Sequence, residues 1–235
     1  MINISYFLDF IFPPVCLSCN KFGDFICIKC QKQISKLDDF ICPTCLRVCL
    51  DGKQHSKCKG NINGLISCWN YEKTTQKVIK EIKYRFYYAS IKPLIKLFLQ
   101  QRQKSPAFEI FIKKKPLLIP VPLHPKRLKY RGFNQADLIV KELAKVWNLD
   151  LSNKILFRTK FSKPQAELSK KERLDNTKNM FATNPKLLKI SDKPLKDKNI
   201  ILVDDVWTTG STAQACAGVL KKLGVAKIWT VTLAR

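Results

Sequence analysis

The chain has 235 residues, with 43 Lys and Arg against 18 Asp and Glu and a net charge of +25. That length suffices for one good-sized core plus a small appendage, and that charge spreads positive potential over the surface whatever the fold, so polyanions, nucleic acid first among them, are the expected partners. No stretch reaches the ~18 uninterrupted apolar residues of a membrane-spanning helix, which argues against that class; AT-rich codon usage competes as a source of the lysines but leaves the scarcity of Glu unexplained.

Residues 1–15 are largely apolar around a single charge, Asp9, and lack the basic start and small-residue cleavage site of a secretory signal. Two readings stand: an amphipathic helix packed on the body, or one lying on a membrane surface. The cysteines follow. All but one of the ten precede residue 69, in the pairs Cys16-x2-Cys19, Cys27-x2-Cys30 and Cys42-x2-Cys45. Thiolates two residues apart on tight knuckles give the bite that tetrahedral Zn²⁺ needs, and without an export signal disulfides are the weaker explanation. The spacing predicts two zinc sites, one of Cys16, Cys19, Cys27 and Cys30, the other of Cys42, Cys45, His55 and Cys58, with Cys49 competing for the place of His55. Cys68 and Cys216 read as small buried hydrophobes.

Residues 65–71 carry enough β-formers for a strand, and 74–99 show helical spacing, broken near Pro93. Residues 104–115 read as a basic connection. A second buried strand, 117–121, runs into Pro122-Leu123-His124-Pro125, after which Lys126, Arg127 and Arg131 offer an anion site suited to pyrophosphate; Arg131-Gly132-Phe133-Asn134-Gln135 then opens a helix over 136–147. Tyr84, Phe86, Tyr87 and Tyr88 serve either for packing or for stacking on bases.

Near the C-terminus, Ile200-Ile201-Leu202-Val203 suits a parallel strand covered on both faces, and Asp204-Asp205 give way to Thr208, Thr209, Gly210, Ser211 and Thr212 before an Ala-rich helical pattern. Unpaired N–H groups at that helix start, flanked by hydroxyls, form a seat for a phosphate dianion. The two carboxylates repel such a ligand and instead accept hydrogen bonds from sugar hydroxyls. A last strand covers 227–233. The pattern as a whole predicts an α/β fold: a mainly parallel five-stranded sheet with helices on both faces and a ligand at the carboxyl ends of the strands beginning at Leu117 and Asn199. The zinc-ribbon segment occupies 1–62 and the α/β domain 63–235.

The stretch from Asp204 to Thr212 resembles the PRPP loop of type I phosphoribosyltransferases. That resemblance implies that Asp204 and Asp205 hold the ribose hydroxyls, that Thr208–Thr212 cradle the 5-phosphate and that Mg²⁺ accompanies PRPP. With the cysteine pairs, the Val121-Pro122 strand end and Arg131–Gln135, the chain is similar over nearly its whole length to the ComF/ComFC family of DNA-uptake proteins. The match extends to Arg158, Thr159, Lys160, Gln165, Leu168, Arg173, Asn176 and Phe181, which correspond to a mobile loop closing over PRPP, while His55 stands where family members often carry cysteine. The resemblance implies a cytoplasmic factor that handles incoming single-stranded DNA beside other uptake proteins, and the membrane-surface reading of residues 1–15 would add peripheral contact at the inner membrane. Transfer of the phosphoribosyl group to a nucleobase-like acceptor is the competing function.

Overall fold

The computed structural model describes residues 13–84, 88–160, 180–188 and 194–235. Residues 1–12, most of the N-terminal apolar segment, lie outside this set, as do Phe86 and Tyr87. The first regular element is a short helix, α1 (Ile28–Lys32), inside the cysteine-rich region. The sheet then assembles from β1 (Gly64–Ile66), β2 (Leu117–Pro120), β5 (Asn199–Val206) and β6 (Lys227–Ala234) in the order β1-β6-β5-β2, with every pair parallel. Four strands, not five, make up this sheet among the described residues. Another two, β3 (Leu156–Arg158) and β4 (Phe181–Thr183), pair antiparallel as a separate ribbon.

Strand 65–71 is also shorter than its composition suggests. After Ile66 the backbone N–H groups of Cys68 and Trp69 both donate to the Leu233 carbonyl, a two-against-one pairing that interrupts the ladder as a bulge does.

Helices cover both faces of the sheet. On one side lie α2 (Lys73–Tyr84), α3 (Ile91–Gln101) and α6 (Gln135–Trp147); on the other lies α8 (Ser211–Lys222). The period-two alternation of β5 divides the two cores: Ile201 and Val203 join Val78, Ile79, Leu94 and Ile139, whereas Ile200 and Leu202 join Ala213, Cys216 and Leu220. Cys68 and Cys216 are buried as expected, and burial pushes the Cys68 thiol up to about 12.

The break between α2 and α3 falls before Ile91, and Pro93 sits inside the first turn of α3, where a missing N–H leaves no helical bond unmade. The basic stretch 104–115 is a helix, α4 (Pro106–Lys113), rather than a connection. Ser105 caps it by accepting from the Phe108 N–H at 3.0 Å, Pro106 pre-sets its first turn, and Phe108 and Phe111 are buried. Its lysines concealed a capped amphipathic pattern.

Two short helices complete the fold, α5 (Pro125–Arg131) and α7 (Pro185–Leu188). The cysteine-rich segment is not a loose appendage, since Leu17, Ile26, Cys30 and Ile34 belong to the same apolar cluster as α2 and α3. Among the described residues no helix is long and apolar enough to cross a membrane.

Candidate functional site

Two ligand groups form in the cysteine-rich region. Cys16, Cys19, Cys27 and Cys30 bring their sulfurs within 4.8 Å of one another, and Cys42, Cys45, His55 and Cys58 do the same with three sulfurs and a ring nitrogen. The backbone builds both on one template. Cys16 N–H donates to the Lys21 carbonyl and Cys42 N–H to that of Arg47, each at the same offset; Asn20 and Leu46 then return to Cys16 and Cys42 through left-handed φ of 60° and 61°. The third ligand of each group also donates its N–H to the first sulfur, Cys27 to Cys16 Sγ and His55 to Cys42 Sγ, both at 3.5 Å.

His55 therefore takes the place that Cys27 holds in the other knuckle, and Cys49 stands outside the group. Its imidazole is oriented for the role: Nε2 lies 3.1 Å from the Val48 carbonyl, which fixes the proton there and turns Nδ1 toward Cys45 Sγ at 3.3 Å. Hydrogen bonds from Arg47, chiefly its backbone, pull the Cys45 thiol down to about 6, which readies a thiolate for metal. Soft sulfur donors in tetrahedral number fit Zn²⁺ at both groups.

The second site lies at the carboxyl ends of β2 and β5. The strands pair in register from Leu117 with Ile200 to Pro120 with Val203, so Val121 reaches the level of the acidic residues. Because successive strand residues face opposite ways, Asp204 follows Leu202 toward the loop and Asp205 follows Val203 toward α2. Asp204 lines a small cavity of about 20 Å³ with Thr208, Gly210, Ser211 and Thr212. Asp205 meets Lys83 of α2 at 2.6 Å among Ile79, Ile82 and Leu233. Lys83 has no motif around it to betray this role.

In the loop, Gly210 caps α8 at φ 73°, a left-handed conformation that suits glycine, and Thr209 Oγ1 donates to Ser211 Oγ at 3.1 Å. The floor is Trp207, buried beneath Gly210, with an indole N–H that has no hydrogen-bond partner among the described residues. Gln214, one turn into α8, donates to the Pro43 carbonyl at 3.0 Å and so ties the loop's helix to the second knuckle.

Lys126, Arg127 and Arg131 lie on α5 rather than on an open loop. The Arg131 guanidinium sits 4.9 Å from the Tyr84 ring centre, with Nη2 3.3 Å from the phenol oxygen and Nη1 3.5 Å from Gln135 Oε1. Asn134 caps α6 and donates to the Val121 carbonyl at 3.0 Å, while Phe133 packs on Tyr88 with centroids 4.8 Å apart. Arg131 to Gln135 thus fastens the end of α2 and the start of α3 to the strand end. Arg158, on β3, shares the field of Asp204 and Arg127, and burial followed by the Arg127 charge lowers its pKa. Lys160 is exposed just beyond it, whereas Gln165, Leu168, Arg173 and Asn176 lie outside the described residues.

Burial, and then the neighbouring Asp205 charge, raise the Asp204 carboxyl to about 7. An unfolded aspartate titrates near ~3.9, so the folded protein holds this proton more tightly; the associated stability is complete below ~3.9 and lost as pH rises through about 7. Asp204→Asn is neutral throughout and escapes that loss. Thermal melts should show the variant gaining several degrees on the parent between pH ~5 and ~8; a gap that stays constant would place the carboxyl in its ordinary range.

The Mg²⁺ implied with PRPP fits this arrangement poorly, because Asp205 already holds an ammonium and the Arg158 charge stands near Asp204.

No family model matches the chain. Among curated proteins it is 41% identical over 118 residues to competence protein F of Haemophilus influenzae, covering 50% of this chain and 49% of that protein. DNA utilization protein YhgH of Escherichia coli strain K12 is 32% identical over 118 residues, covering 50% and 48%. Competence protein ComFC of Bacillus subtilis is 31% identical over 163 residues, covering 69% of this chain and 62% of its own length. The chain spans about half the length of the first two relatives. These relatives, the paired ligand groups and the parallel sheet together support the ComF/ComFC family for this chain.

Proposed function

We propose that the protein handles single-stranded DNA taken up during natural transformation, and that its α/β domain is phosphoribosyltransferase-like and binds PRPP or a related phosphoribosyl ligand. The names of its relatives, two competence proteins and a DNA utilization protein, support the DNA role. The observation that carries the ligand is the meeting of Asp204 with the Thr208–Thr212 turn in one cavity at the carboxyl end of β5.

In this reading the loop N–H groups and hydroxyls take the 5-phosphate, Asp204 accepts from a ribose hydroxyl, and Arg127 and Arg131 face the pyrophosphate. Arg158, on β3, and Lys160, just beyond it, add further positive charge. The net charge of +25 supplies phosphate contacts along a DNA strand. The ribbon, residues 1–62, and the domain from 63 onward act together in the cytoplasm, beside other uptake proteins and in contact with the inner membrane.

The arginines of α5 also favour a second reading, an active phosphoribosyltransferase with a nucleobase-like acceptor, because they would neutralise a departing pyrophosphate.

Calorimetry with PRPP separates these outcomes. The parent should bind, and Asp204→Asn with Asp205→Asn should abolish binding while far-UV dichroism stays unchanged; equal binding by the variant would reduce the motif to a strand and its helix cap. Pyrophosphate release with a candidate base would support the enzyme, whereas binding without turnover supports a ligand-gated DNA factor. Anisotropy with labelled single strands should show affinity falling steeply with salt and little sequence preference.

A further inference from the structure

We propose that Lys83 supplies to the acidic pair the positive charge that a divalent cation would bring, so that the pocket takes a ribose 5-phosphate-type ligand without metal. This rests on the phosphoribosyl reading above and adds the charge that balances that ligand.

The contact is built into the fold rather than made by a solvated tail. Lys83 Nζ lies 2.6 Å from Asp205 Oδ2, with the two side chains only 21% and 14% exposed. Its backbone is held in place: Gln135 Nε2 donates to the Lys83 carbonyl at 3.4 Å, and the next residue, Tyr84, lies under the Arg131 guanidinium. Around Asp205 stand Ile79, Ile82, Leu94 and Leu233, with the Gln135 amide beside them.

A hard divalent ion asks for about six oxygen ligands. Here it would find one carboxylate oxygen already taken by an ammonium, and it would lie against that positive charge. Lys83 therefore does the work of the ion: it offsets the negative charge of the pair, which would otherwise repel a phosphate dianion, and it leaves Asp204 to face the sugar.

The test is calorimetric titration of the zinc-loaded full chain with ribose 5-phosphate and with PRPP, in EDTA and in excess Mg²⁺. Chelator strong enough to strip the ribbon is controlled by measuring zinc after dialysis. The parent should bind ribose 5-phosphate equally in both buffers, within about twofold. Lys83→Met should weaken that binding by about tenfold or more in EDTA and recover part of it in Mg²⁺, while Lys83→Arg keeps metal-free binding. A purely structural lysine would not create metal dependence. If the parent binds only in Mg²⁺, or Lys83→Met binds as the parent does, the proposal is overturned and the phosphoribosyl pocket survives. If neither ligand binds the parent in either buffer, the pocket reading itself falls and takes this proposal with it.

Discussion

Cys16→Ser protein should carry one zinc equivalent where the parent carries two, and the region around residues 16–30 should lose its fold. Cys16 is fully buried, receives the Cys27 N–H at its sulfur and anchors the turn through Lys21 and Asn20. So short a segment cannot hold itself together by core burial alone, and metal supplies on the order of 10 kcal/mol of its folding free energy. Leu17, Ile26 and Ile34 are shared with the core of α2 and α3, so the loss should also lower the melting temperature of the whole chain. Metal analysis and proteolysis read the two effects. Cys49→Ser is the companion variant: its sulfur lies outside both groups, and it should keep both equivalents. A parent with one equivalent would remove the His55 site.

The second large effect belongs to Gly210. A Cβ built there overlaps the Trp207 ring, coming within 2.6 Å of both Cε2 and Cη2, and φ of 73° is a conformation that a β-branched residue rarely adopts. Gly210→Val should therefore destabilise the protein by about 3 kcal/mol or more, read as a shifted urea midpoint, and should also abolish PRPP binding. Trp207 cannot withdraw easily, since it is packed with Leu202, Ala213 and Leu220. A variant that keeps its midpoint but loses the ligand would mean that the side chain obstructs only the phosphate.

The chemistry written in contiguous residues was the easiest to read. Paired cysteines, the strand ending in Asp204-Asp205 and the hydroxyl turn each declare themselves within a dozen residues, because knuckle geometry and helix-start N–H groups are local. Contacts across the chain were not legible. Nothing near Lys83 announces its pairing with Asp205, and nothing near Gln214 announces Pro43. Arg131 read as a free cation at a strand end, yet it lies on Tyr84, which only the docking of α2 against α6 brings within reach. The α4 helix was missed for a different reason: its lysines outweighed the Ser105-Pro106 start signal and the spacing of Phe108 and Phe111. The split of Asp204 and Asp205 onto opposite faces follows from strand period alone and was readable from the start.

The imidazole of His55 bears on electrostatics at a distance. With zinc bound, three thiolates and a neutral ring carry one negative charge fewer than four thiolates do, and this knuckle is the one whose Pro43 touches the first turn of α8. A fully thiolate centre there would set a more negative neighbour beside the N–H groups proposed to take a phosphate, and would oppose the partial positive charge of the helix start. The distribution of ligands between the two knuckles thus gives the less anionic centre to the knuckle that contacts α8 beside the proposed phosphate seat.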